Sequence, residues 1–189
     1  MRILALQASP NEDGLTASMA KAALQGAQAA GAEVDLIHLC QVNLGTCQAC
    51  GQGWGQCRQE GTCVIEDDLA MIVDKIAAAD ALVLSTPVYF GDVAEVFKSC
   101  FDRLRRCQFA GPEERRLEGK WILGLAAAGG SGGGGPTCLV AMERYYAHMG
   151  MRAFDQMIVT RRSREYMLSA AREAGQALVR YVEEQRKGG

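Results

Sequence analysis

The chain has 189 residues, of which 49% are hydrophobic and 22% are charged, and its formal net charge is -2. Such a length suits a single domain that buries roughly 70% of its unfolded surface, and we expect residues 1–189 to form that domain. The charge balance excludes a nucleic-acid-binding protein, because phosphate contacts need clustered lysine and arginine.

The first residues, MRILALQASPNEDG, contain no apolar run long enough for a signal peptide or a membrane span. We therefore expect a cytoplasmic protein with no membrane partner. Because thiols stay reduced in the cytoplasm, the eight cysteines are expected to serve metal binding, redox chemistry or packing rather than disulfides.

Strand and helix patterns alternate along the chain. The pattern predicts strands over residues 2–8, 33–39, 81–86, 121–127 and 155–160. It predicts helices over residues 16–30, 66–79, 93–107, 137–149 and from 163 to about 186. This order predicts an α/β fold, a doubly wound parallel sheet of five strands with helices on both faces.

A cysteine loop follows the second predicted strand. Its cysteines are spaced C-x2-C-x6-C-x5-C among glycines: Cys47, Cys50, Cys57 and Cys63. Four thiolates on one loop can hold iron–sulfur or zinc, and free thiols are the third interpretation. The remaining cysteines are predicted to pack as small hydrophobic groups: Cys40, Cys100, Cys107 and Cys138.

Three loops are expected at the carboxyl edge of the sheet, where open α/β folds bind ligands, and the cysteine loop is expected close to them. The loop from Ser9 to Thr16 supplies hydroxyls and a glycine turn before a helix, as phosphate pockets do. A simple capped turn is the alternative, and Glu12 and Asp13 would repel phosphate unless they point to solvent. The loop that contains Tyr89 and Phe90 could border a planar ring.

The third loop is rich in glycine and lets a ligand approach the backbone closely. It matches G-x-G-x-x-G at Gly130, Gly132 and Gly135. That fingerprint belongs at the first strand–helix turn with an acid at the end of the next strand, so a Rossmann dinucleotide domain is not predicted here.

Two arginine clusters have alternative interpretations. We interpret the first as a solvated helix face, with a nicotinamide dinucleotide phosphate or a partner subunit as the alternative contacts: Arg103, Arg105 and Arg106. The second follows the last strand and is interpreted as an anion site or a subunit contact: Arg161, Arg162 and Arg164.

Together, Ser9-Pro, Gly14-x-Thr16, the segment CVIEDDLAMIVDKIAAADALVLSTPVYFGDVAEVFKSCFDR and the glycine-rich loop resemble the flavodoxin-like NADPH-dependent FMN reductases. The cysteine loop resembles that of the iron–sulfur flavoproteins within this group. The chain departs from the pattern at Leu15, where the family often has asparagine, and at Gly53, where the third cysteine usually lies.

The resemblance implies the strand order 2-1-3-4-5, with FMN at the carboxyl ends of the strands. It implies a phosphate site at Ser9, Asn11, Gly14 and Thr16. It implies a ring site at Pro87, Val88, Tyr89, Phe90 and Gly91, closed by Gly129 and Gly130. A [4Fe-4S] cluster would be held by Cys47, Cys50, Cys57 and Cys63. A homodimer or homotetramer is also implied.

The implied function is an FMN-dependent NAD(P)H oxidoreductase. Its electrons would pass, directly or through the cluster, to an acceptor that the sequence does not identify, a small molecule or a redox protein. The flavin supplies the chemistry, so no catalytic side chain is predicted. The alternatives are a non-enzymatic flavodoxin-type electron carrier and a reductase whose cysteine loop binds structural zinc or nothing.

Overall fold

The computed structural model describes residues 1–108 and 116–188. Its five parallel strands form one sheet in the order β2-β1-β3-β4-β5. The strands are β1 (Arg2–Gln7), β2 (Glu33–His38), β3 (Ala81–Pro87), β4 (Trp121–Ala127) and β5 (Arg152–Val159). The predicted fold class and the implied strand order are therefore confirmed.

Six helices connect and follow these strands within the described residues. They are α1 (Leu15–Ala29), α2 (Gln56–Gln59), α3 (Leu69–Ala78), α4 (Glu95–Cys107), α5 (Gly135–Ala147) and α6 (Arg164–Gly188). No helix in this part of the chain is long and apolar enough to cross a membrane.

The core lies on both faces of the sheet. Every residue of β3 is buried, as its uninterrupted apolar run requires of a central parallel strand. Helices α1 and α6 pack with one apolar cluster, and α3, α4 and α5 pack with the other. Burying each large aliphatic side chain contributes about 1.5–3 kcal/mol to stability. The packing of helices on both faces of the sheet therefore fixes the positions of the strand ends and of the loops that follow them.

The structure differs from the sequence prediction at three places. Strand β5 begins at Arg152, because an edge strand exposed on one side has no continuous apolar run at its start. Helix α3 begins at Leu69, since the carboxylate of Asp67 accepts the Leu69 backbone N–H at 3.1 Å. The cysteine loop also contains a 3-10 turn (Gly51–Gly53) and the short helix α2, which the pattern did not indicate.

Helices α1 and α6 cross with their backbones in contact. A Cβ atom on Gly26 would lie 1.8 Å from the carbonyl oxygen of Arg172, and one on Gly175 would lie 1.9 Å from that of Ala23. Only glycine allows this approach, so the crossing depends on both positions.

We predict that Gly175→Ala lowers the free energy of unfolding by about 1–3 kcal/mol, the usual cost of overpacking. Alanine normally stabilises a helix relative to glycine, so the clash with Ala23 must outweigh that gain. Chemical denaturation measures the change.

The matched control is Gly188→Ala in the same helix, where a Cβ atom meets nothing within 4 Å. Its unfolding free energy should stay within about 0.5 kcal/mol of the unmodified protein. A Gly175→Ala variant as stable as this control would contradict the close crossing.

Candidate functional site

An open cleft of about 480 Å³ lies at the carboxyl edge of the sheet. It is bordered by the loops after β1, β3, β4 and β5, as expected where parallel strands end together. Its lining residues are Asn11, Asp13, Gly14, Leu15, Thr16, Pro87, Val88, Tyr89, Ala127, Gly129, Arg161 and Arg164.

The loop after β1 is ordered by its own side chains. Ser9 Oγ accepts the backbone N–H of Asn11 at 3.2 Å, and Asn11 Oδ1 accepts that of Asp13 at 3.0 Å. Helix α1 then starts at Leu15, and its N-cap residue is Gly14, so no side chain caps the helix. The uncapped first turn borders the cleft, which is the arrangement that binds anions at helix N-termini.

Both acids of this loop are exposed. Lys21 lies beside them, with its Nζ 3.4 Å from Asp13 Oδ1 and donating to the backbone oxygen of Glu12 at 2.9 Å. Glu12 does not line the cleft, whereas Asp13 does. A phosphate group in the cleft would therefore be repelled less by Glu12 than the sequence indicated, whereas Asp13 would still repel it.

The loops after β3 and β4 are locked together. Thr137 Oγ1 donates to the backbone oxygen of Gly91 at 2.7 Å. Gly134 has a φ of 77° and approaches so closely that a Cβ atom on it would lie 2.6 Å from the Gly91 Cα. Gly129 and Gly130, in contrast, face open space, so the cleft stays free where a planar ring would need room.

Seven of the predicted flavin-site residues line the cleft, namely Asn11, Gly14, Thr16, Pro87, Val88, Tyr89 and Gly129. Four others lie in the same loops without lining it: Ser9, Phe90, Gly91 and Gly130. Phe90 is fully exposed and has a φ of 52°, an uncommon conformation for a bulky residue. Of the lining residues that were not assigned to this site, Arg161 and Arg164 bring positive charge to it and Asp13 brings negative charge.

All four cysteines of the loop border one small pocket. Its other lining residues are Gln48, Gly53, Val64, Ile65, Arg103, Arg106 and Cys107. Within residues 1–108 and 116–188, no three His, Cys, Asp or Glu side chains are grouped closely enough to hold a single metal ion. The thiols thus face a shared space without converging on one point.

Arg103 holds both ends of the cysteine loop. Its Nη1 donates to the backbone oxygen of Gly45 at 2.9 Å, before the loop, and its Nη2 lies 3.3 Å from Cys63 Sγ, at the end of the loop. Nη2 also donates to Asp67 Oδ1 at 2.9 Å. Both side chains of this ion pair are buried, at 1% and 2% exposure.

Asp67 stays ionised in this buried position. Burial opposes its charge, but hydrogen bonds from Arg103 and from the backbone N–H groups of Gly45 and Leu69 outweigh burial and lower the pKa of Asp67. We name these three contacts, with the Arg103 bonds to Gly45 and Cys63, the loop clamp.

A second arginine of α4 contacts the tip of the loop. Arg106 donates to the backbone oxygen of Gly53, and its guanidinium lies 4.9 Å from the centre of the Trp54 ring. Arg58 lies 5.6 Å from the same ring. Trp54 therefore lies within cation–π distance of two arginines, and Arg106 borders the thiol pocket together with Arg103.

One prediction for the other cysteines is wrong. Cys40 lies in the turn after the edge strand β2 and is exposed, so it is not a core residue. Cys107 is buried as predicted and also borders the thiol pocket. Burial and the neighbouring thiols of Cys63 and Cys57 raise the pKa of Cys107 to about 12. Cys107 therefore lines the pocket as a neutral thiol and does not act as a fifth thiolate. Cys100 and Cys138 are buried as predicted.

The interpretation of the α4 arginines as a solvated face is wrong for Arg103. The sequence contained the signal, because Arg103 lies three residues after Cys100 and four before Cys107, and both cysteines are buried. That spacing puts all three on one face of the helix.

The thiol pocket and the cleft are separate. They share no lining residue among those described. Helix α4 starts beside the cleft loop, where Thr86 Oγ1 accepts the Ala94 N–H at 3.0 Å. Arg103 lies eight residues after the first residue of α4, or roughly 12 Å along the axis. The cysteine loop is thus farther from the cleft than its position in the sequence suggests.

Residues 1–163 match the family described as NADPH-dependent FMN reductase. The chain belongs to this family. An iron–sulfur flavoprotein of Methanosarcina thermophila is 34% identical over 154 residues, which cover 80% of this chain and 75% of that protein. One from Methanocaldococcus jannaschii is 31% identical over 130 residues, 69% of this chain and 65% of that protein. The predicted family and its iron–sulfur flavoprotein subgroup are confirmed.

Solved structures of other proteins share the fold. The NAD(P)H:quinone oxidoreductase from Methanothermobacter marburgensis has a TM-score of 0.76 at 21% identity, covering 94% of this chain and 96% of that one. An NADH:FMN oxidoreductase in its apo form has a TM-score of 0.68 at 20% identity, with 94% and 88% covered. At such identities the likeness establishes the flavodoxin-like fold.

We predict that Asp67→Asn lowers the free energy of unfolding by about 3 kcal/mol or more, because it leaves the Arg103 charge buried without its partner. The pKa of Asp67 is lowered in the folded protein, so the advantage of the unmodified protein is complete above its unfolded pKa of about 3.9. That advantage shrinks as the pH falls through the lower folded-state pKa. Denaturant unfolding at several pH values measures both effects.

Asp74→Asn is the matched control, since Asp74 pairs with Arg116 at 2.9 Å on the surface. It should cost less than about 1 kcal/mol at any pH. An equal loss of unfolding free energy in Asp67→Asn and Asp74→Asn would contradict a larger contribution of the buried ion pair than of the surface ion pair.

Proposed function

We propose that this protein is an FMN-dependent NAD(P)H oxidoreductase whose cysteine loop holds a [4Fe-4S] cluster. The observation that carries the proposal is the open cleft at the carboxyl edge of the sheet, in a chain of the FMN reductase family. FMN, when bound, would supply hydride and single-electron transfer, which is the chemistry of the cofactor. The electron acceptor would be a small molecule or a redox protein.

The residues of the cleft suit the two ends of FMN. The phosphate would be held by the loop after β1 and the first turn of α1, through Ser9, Asn11, Gly14 and Thr16. The ring would lie against residues 87–91, with Gly129 and Gly130 on the other side. The apolar side chains of Val88 and Tyr89 would orient the ring and exclude water, and the glycines leave the room that it needs.

The thiol pocket fits an iron–sulfur cluster by the chemistry of its ligands. Cys47, Cys50, Cys57 and Cys63 would each bind a different iron, which requires thiols around a shared space rather than around one ion. Arg103 and Arg106 would offset the negative charge of four thiolates. The names of the relatives as iron–sulfur flavoproteins support this assignment. A cluster, when bound, supplies one-electron transfer.

Assembly into a homodimer or homotetramer would complete the flavin site. Phe90 supports this expectation, since it is fully exposed at the rim of the cleft loop. Together with its exposed neighbour Tyr89, it offers apolar surface that a partner subunit would cover.

We predict that the anaerobically purified protein contains iron and sulfide and shows flavin bands with broad sulfur-to-iron absorption. Cys50→Ser should lose the iron and keep the flavin, because it removes one cluster ligand. Cys40→Ser is the control and should keep both, since this cysteine is exposed and lies outside the thiol pocket. Zinc without iron would contradict the cluster and leave the flavin proposal standing.

We predict that Gly129→Val abolishes FMN binding and NAD(P)H oxidation without reducing thermal stability. A Cβ atom at this position meets no protein atom within 4 Å, so the new side chain would obstruct only the ligand. Fluorescence titration with FMN and a steady-state oxidation assay measure the two effects.

Unchanged FMN affinity in Gly129→Val would contradict the proposed position of the ring. A flavin that cycles in the unmodified protein with negligible NAD(P)H turnover would identify an electron carrier instead of an enzyme.

A further inference from the structure

The phosphate end of the cleft receives no positive charge from its own loop. Residues 9–16 contain two acids and no lysine or arginine, and Asp13 lines the cleft. Lys21 contacts Asp13 and Glu12 and does not line the cleft. A phosphate monoester carries a charge of about -1.5 to -2 at neutral pH, so cations from another element would strengthen the binding that the α1 N-terminus offers.

Two arginines from the loop after β5 supply that charge. Among the described residues that line the cleft, Arg161 and Arg164 are the cationic ones. Arg164 Nη2 donates to Ser18 Oγ at 3.1 Å, and Ser18 Oγ donates to the backbone oxygen of Gly14 at 2.9 Å. The Arg164 guanidinium is thereby attached to the turn where α1 begins.

The loop that carries Arg161 is held rigidly. The backbone N–H of Thr160 donates to Ser163 Oγ at 2.9 Å, and that of Ser163 donates to Thr160 Oγ1 at 3.2 Å. These reciprocal bonds close a tight turn before α6. Arg161 and Arg162 are both exposed, but Arg161 lines the cleft and Arg162 does not.

We propose that Arg161 and Arg164 bind the phosphate group of FMN and make the cleft selective for FMN over riboflavin. This inference rests on the proposed flavin function. Guanidinium groups form charge-assisted, often bidentate hydrogen bonds with phosphate. The loop after β5 thus replaces the charge that the loop after β1 lacks, and Ser18 acts as the positioning residue for Arg164.

The test compares FMN with riboflavin, which lacks the phosphate. The flavin-stripped full chain and its Arg164→Met and Arg161→Met variants are titrated with each ligand. Each substitution should weaken FMN binding about 10- to 100-fold, the value of one charged hydrogen bond. Riboflavin affinity should change less than about threefold, because the ring contacts are unaltered.

Arg162→Met is the matched control and should change neither affinity. Equal weakening of FMN and riboflavin in the Arg161 and Arg164 variants would overturn the proposal, since it would indicate a structural effect. Unchanged FMN affinity together with a raised KM for NADPH, but not for NADH, would also overturn it and assign the arginines to the nicotinamide cofactor. Failure of the unmodified protein to bind FMN would instead overturn the proposed function.

Discussion

The buried ion pair between Arg103 and Asp67 is the interaction on which the cysteine loop depends. Two charges at 1% and 2% exposure carry a desolvation cost of several kcal/mol each. The loop clamp offsets part of this cost. The carboxylate accepts two backbone N–H groups, and the Nη1 and Nη2 atoms of Arg103 contact a backbone oxygen and a thiol. Within the described residues, the buried Nε of Arg103 has no hydrogen-bond partner. Breaking the pair would release both ends of the loop at once.

The clamp also decides where the loop lies. Because Arg103 belongs to α4, the thiol pocket packs against that helix rather than over the carboxyl edge of the sheet. The chain therefore has two separate sites, an open cleft formed by four strand–helix loops and a small thiol pocket formed by one loop and one helix. A division into two sites suits a protein that receives electron pairs in one place and passes single electrons from another.

Much of this arrangement follows from sequence pattern. The apolar run of β3 and the alternation of strands and helices predicted the parallel sheet, because a strand buried on both faces cannot be amphipathic. The clamp could not be predicted in the same way, since Asp67 and Arg103 are separated by 36 positions and only the fold brings them together. The hydrogen bond between Arg164 and Ser18 could not be predicted either, because 146 positions separate the two residues.

The proposed cluster in the cysteine loop would be a redox centre in addition to the flavin proposed for the cleft. Anaerobic reductive titration of the full chain, followed by visible absorption, tests it most directly. We expect uptake of one electron per chain more than the flavin alone accepts, because a [4Fe-4S] cluster adds a one-electron centre. Uptake that ends when the flavin is reduced would contradict it.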